Sequence, residues 1–107
     1  MIRRALSATL VPAALAIALA AEGNAATPHV QIKQFAFVPA TLTVPVGATV
    51  TWTNADEEPH TVTASDRAYT STGLEQNETY THRFTAPGTY TYFCALHPHM
   101  TATIVVQ

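Results

Sequence analysis

One cysteine, Cys94, is all the sequence offers, so no internal disulfide can staple the fold. Charge is scarce as well: 11% of the residues are charged, with Lys+Arg 5 against Asp+Glu 7 and a formal net charge of −2. Such a balance gives no basic patch and excludes nucleic acid as the partner. No window combines helical periodicity with caps at both ends, which excludes a helical architecture. Long apolar runs are limited to the first two dozen residues, so nothing downstream of them is long enough to cross a bilayer.

That N-terminal run has a plan of its own. Arg3 and Arg4 precede "ALSATLVPAALAIALAA" and then the small-residue stretch "EGNAA". A basic start, an apolar middle and small residues before a cut site describe a secretory signal peptide. The run is Ala-rich, interrupted by Pro12 and short for a membrane anchor. Cleavage after Ala25, with Gly23 at −3, fits best, with Ala26 second. The paired arginines leave open whether export is general or by the twin-arginine route. The expectation is a cleaved segment 1–25, a single domain 26–107 and a periplasmic location. Losing Arg3, Arg4 and Glu22 leaves three basic against six acidic side chains, a net charge of −3. A domain this short often leans on a disulfide or a metal, and the first is unavailable.

From Val30 onward, β-branched and aromatic residues come in short runs separated by Pro, Gly, Asn and Asp. "VQIKQFAF", with a phase slip at Lys33-Gln34 that suits a bulge, is followed by "TLTV", "ATVTWTN", "HTVTA", "TYTHRF", "TYTYFC" and "TATIVVQ". Seven to eight short strands at this spacing predict an all-β sandwich. Period-2 alternation sets Tyr90, Tyr92 and Cys94 on one face of their strand, so the thiol points inward at the strand's end.

A lone thiol in an oxidising compartment asks for a partner. Thiolate and thioether are soft ligands, imidazole suits copper in either oxidation state, and a His₂Cys set with a weak axial Met is an electron-transfer copper site. "CALHPHM" offers Cys94, His97 and Met100 at C-x2-H-x2-M. The second histidine must come from elsewhere, and His60 is the best candidate, following the turn "NADEEP" with Pro59 stiffening its approach. His99 competes with His97, but it adjoins Met100, and adjacent residues seldom turn both side chains onto one metal. His82 reads as a partly buried strand histidine beside Tyr80 and Phe84. His29 lies near the expected new N-terminus, where Pro28 has no amide proton to give up to a metal. The acidic run Asp56, Glu57 and Glu58 reads as a solvated turn, or else as a feature that attracts a basic partner at low salt.

The stretches "FAFVPATLTVPVGATVTWTNADEEPHTV" and "FTAPGTYTYFCALHPHM" resemble the cupredoxins, small blue-copper proteins, over nearly all of residues 26–107. Within that family, the ligand-loop spacing and the proline after His97 are those of the amicyanins. The resemblance implies a Greek-key β-sandwich and one type 1 copper held by His60, Cys94, His97 and axial Met100. It implies an electron carrier and not an enzyme, exchanging single electrons with redox proteins such as a c-type cytochrome or a dehydrogenase. The protein is then expected to be a monomer. Thr61 stands where the family often has Asn or Ser, Ala95 where amicyanins have Thr, and His99 where an aromatic apolar residue often precedes the methionine. The rival function is copper delivery, which would favour a more open, Met-rich site. A multicopper enzyme would need further His-x-His pairs, and a binuclear site a second cysteine.

Overall fold

The computed structural model describes residues 27–107; the segment 1–25 expected to be cleaved lies outside the described residues. All the regular structure described is strand. In chain order the strands are β1 (His29–Lys33), β2 (Ala36–Val38), β3 (Thr41–Val44), β4 (Thr49–Asn54), β5 (Thr63–Ala64), β6 (Thr79–Arg83), β7 (Gly88–Cys94) and β8 (His97–Val106). They form two four-stranded sheets, β2-β1-β4-β6 and β3-β8-β7-β5. The chain passes between the sheets from β2 to β3 and at each connection up to β7, as a Greek-key sandwich requires.

Alternation decides which side chains enter the core. Along β1 only Val30 and Ile32 are buried, and along β4 Val50, Trp52 and Asn54 are. From the opposite sheet come Tyr92 and Cys94 of β7 and Met100, Ala102, Ile104 and Val106 of β8. Tyr92 joins the two layers, meeting Phe37 at a ring separation of 4.7 Å and Trp52 at 5.5 Å. Burying an aromatic of this size contributes about 1.5–3 kcal/mol, so these rings dominate a small core.

Two local features differ from the sequence expectation. "VQIKQFAF" is a hairpin instead of one bulged strand: Lys33 pairs with Ala36, and Gln34 and Phe35 form the turn with φ of 54° and 57°. Both central residues in the left-handed region define the tight turn that normally takes Asn-Gly. For two bulky residues that conformation costs about 1–2 kcal/mol each, so something must offset it. The second difference lies in "CALHPHM", which is mostly strand. Only Ala95 and Leu96 make the turn, Cys94 pairs with His97, and the register shifts between Phe93 and Cys94. Pro98, which cannot donate to a ladder, falls in the bulged stretch that the shift creates.

Candidate metal centre

The connection from β4 to β5 delivers His60, and its shape is set by a buried asparagine. Asn54 donates from Nδ2 to the carbonyls of Glu58 (2.9 Å) and Leu74 (2.8 Å) and accepts the Asp56 amide at 2.9 Å. His60 is itself pinned through its backbone: its N–H donates to Leu74 O at 3.2 Å, and Leu74 N–H donates to His60 O at 2.7 Å. The imidazole is wholly buried. Its rotation is fixed by Nε2, which lies 2.8 Å from Asp56 Oδ2.

Asp56 is more than the solvated turn residue that its acidic neighbours suggest. Its Oδ1 accepts the Gln34 N–H at 2.7 Å and its Oδ2 the Phe35 N–H at 2.9 Å. These bonds offset the strained turn between β1 and β2. Burial works against ionisation of Asp56, but the Phe35 and Gln34 amides, together with His60, hold the carboxyl below its ordinary value. An ionised Asp56 accepts the proton of His60 Nε2, which leaves Nδ1 bare for a metal. The pairing leaves no local signal in the sequence, because a four-residue spacing brings side chains together on a helix and residues 55–59 form a loop.

Bare Nδ1 of His60 faces Cys94 Sγ at 3.7 Å, and Nδ1 of His97 faces the same sulfur at 3.7 Å. Cys94 is fully buried, and the Thr61 N–H points at its sulfur from 3.3 Å. One ligand atom from each of His60, Cys94 and His97 lies within 4.8 Å of the others, the one such group among the described residues. Burial is graded across it: His60 and Cys94 are enclosed, and His97 is partly exposed. Met100 sits on β8, three residues beyond His97, and is 3% exposed within the core.

The other histidines stand apart from this group. His99 is exposed on β8. His29 Nε2 lies 2.8 Å from Thr53 Oγ1. His82 stacks on Tyr69 at 4.1 Å, the partly buried strand histidine expected of it. The departures at Thr61 and Ala95 are reconciled with each other, since the Ala95 N–H donates to Thr61 Oγ1 at 2.7 Å and so ties the two ligand-bearing segments together. A soft buried thiol, with two imidazole nitrogens aimed at it and an amide donor on its sulfur, is a donor set that fits copper.

Residues 6–106 match the family described as the cupredoxin-like domain. The chain belongs to the cupredoxin family. This cupredoxin is similar to amicyanin-alpha of Methylorubrum extorquens, with 35% identity over 108 residues that cover 96% of this chain and 91% of that protein. Among solved structures it is similar to a reduced Cu(I) form, at pH 4, of an amicyanin variant: 32% identity, TM-score 0.71, covering 82% of this chain and 89% of that one. It is also similar to a Cu-containing nitrite reductase from Thermus scotoductus, at 30% identity and TM-score 0.71. That match covers 77% of this chain but only 22% of the reductase.

Proposed function

We infer that this cupredoxin is a periplasmic type 1 copper protein that carries single electrons between redox proteins, with His60, Cys94, His97 and Met100 as its ligands. The observation that carries the reading is the pair of Nδ1 atoms, from segments 34 and 3 positions away from Cys94, converging at 3.7 Å on its buried sulfur. When bound, copper supplies the one-electron Cu(II)/Cu(I) couple.

The chain's own residues prepare that chemistry. Asp56 keeps the His60 proton on Nε2, and the Leu74 bridge holds the His60 backbone in place. The Thr61 amide stabilises negative charge on the sulfur. Met100, buried on β8, would supply a soft thioether donor to this set. His97 is the partly exposed member and marks the face that a donor or acceptor protein approaches. Donors held by a strand pair, a backbone bridge and a carboxylate need little rearrangement when the charge of the site changes.

Rigidity and enclosure also favour a carrier over copper delivery, since two of the three clustered donors have no solvent exposure. The reading as a carrier and not an enzyme rests on the amicyanin resemblance. A surface cleft of about 330 Å³ is lined by residues such as Tyr69, His82, Phe84 and Tyr90, and none of the clustered ligands lines it. Export rests on the pattern of residues 1–25, and the partner class, a c-type cytochrome or a dehydrogenase, on the amicyanin resemblance.

Voltammetry of the copper-loaded protein tests the reading. A reversible one-electron wave, with copper retained through repeated cycles, is expected. Copper lost on each reduction would refute the carrier and favour delivery.

A further inference from the structure

Three rings close into a triangle at the ligand end of the sandwich. Phe35 meets His60 edge-on at 5.1 Å and 90°, and His97 at 4.9 Å and 88°. The two imidazoles lie 4.9 Å apart at 60°. Separations and angles of this kind are the favourable ones for aromatic pairs. Phe35 is 41% exposed, so it stands at the surface while its ring meets both imidazoles.

The backbone beneath Phe35 is an unusual place for a large residue. Its φ of 57°, next to 54° at Gln34, is the geometry that a tight hairpin normally gives to glycine or asparagine. Here the conformation is held from outside the hairpin, by the Asp56 carboxylate that accepts both amides. The oxygen that receives the Phe35 amide is also the one facing His60 Nε2. A single carboxylate therefore fixes a ligand ring and the ring above it. A phenylalanine whose only task was to turn the chain would be poorly chosen, and its ring would have no reason to touch both imidazoles.

We propose that Phe35 is a positioning residue of the copper centre: a roof, clamped by Asp56, that holds the planes of His60 and His97 and keeps water from their edges. The inference deepens the blue-copper reading and rests on it. Water at the imidazole edges stabilises the more highly charged oxidised site, so the roof raises the reduction potential and slows loss of the metal.

Phe35→Gly and Phe35→Tyr in the full-length protein separate a roof from a mere turn residue. Glycine removes the ring and relaxes the turn, whereas tyrosine keeps the ring on the same backbone. Expected for F35G are a lower reduction potential and copper withdrawal by excess chelator about tenfold faster than wild type. F35Y should keep wild-type values of both. Wild-type potential and withdrawal rate in F35G would overturn the proposal. Should F35G fail to fold, Phe35→Leu takes its place, with a lowered potential in support and an unchanged one against. A further arm uses copper-free protein with ¹⁵N-labelled histidine, in which exchange of the His60 Nε2 proton with water is followed by NMR. Faster exchange in F35G than in wild type supports the roof and unchanged exchange overturns it, even if the wild type fails to form a blue copper centre and the function inferred above falls.

Discussion

The segments carrying Thr61 and Cys94 are joined twice: the Thr61 N–H points at Cys94 Sγ from 3.3 Å, and the amide of the next residue, Ala95, returns to Thr61 Oγ1 at 2.7 Å. The same hydroxyl lies 2.9 Å from Thr63 Oγ1, which lies 2.9 Å from Thr70 Oγ1. A short relay of hydroxyls thus anchors the ligand loops to each other and to the segment beyond β5.

Replacing Thr61 by valine keeps the shape and strands the Ala95 N–H. Leaving a part-buried donor unsatisfied costs about 1–3 kcal/mol. Chemical denaturation of the copper-free protein should show a loss in this range for Thr61→Val and little for Thr61→Ser. Equal stability of the valine variant would show that the hydroxyl does not couple the loops.

Asp56→Ala removes the acceptor for two turn amides and for His60 at once. Hydrogen bonds to charged groups contribute about 1.5–3 kcal/mol, so the copper-free fold should lose at least about 2 kcal/mol. Copper affinity, measured by competition with a chelator, should fall about 10–100-fold. An unchanged affinity would mean that His60 is oriented by its backbone bridge to Leu74 alone.

His82 supplies a pH dependence remote from the copper ligands. Burial lowers its pKa below the usual 6.5. The unfolded chain then binds more protons than the folded one as pH falls below that value. Stability associated with His82 is therefore full above 6.5 and is lost as pH drops through the lower folded pKa. Comparing denaturation midpoints at about pH 8 and about pH 5, His82→Gln should lose less on acidification than wild type. An equal loss would place the acid sensitivity elsewhere.

Strands whose pattern is local were readable from the chain itself. β4 and β7 alternate cleanly, and Cys94 enters the core in phase with Tyr92, as period 2 requires. The hairpin at Gln34-Phe35 was not readable, because no Asn-Gly marks it and the group that stabilises it, Asp56, lies more than twenty positions away. For the same reason Asp56 was hidden within an acidic run that looked solvated. "CALHPHM" was legible as a ligand segment but not as strand, since its pairing depends on a register shift at Phe93/Cys94 that no single-chain pattern encodes. The convergence of His60 with Cys94 needed both sheets in place, whereas the reason to look for a second histidine was already contained in one unpaired thiol.

Addition of Cu(II) to the full-length protein, followed by visible absorption, tests the central claim most directly. An intense thiolate-to-copper charge-transfer band should saturate at one equivalent. The band should vanish in Cys94→Ser and persist in His99→Ala and His29→Ala. A colourless copper complex, or a band that survives the loss of Cys94, would contradict the account.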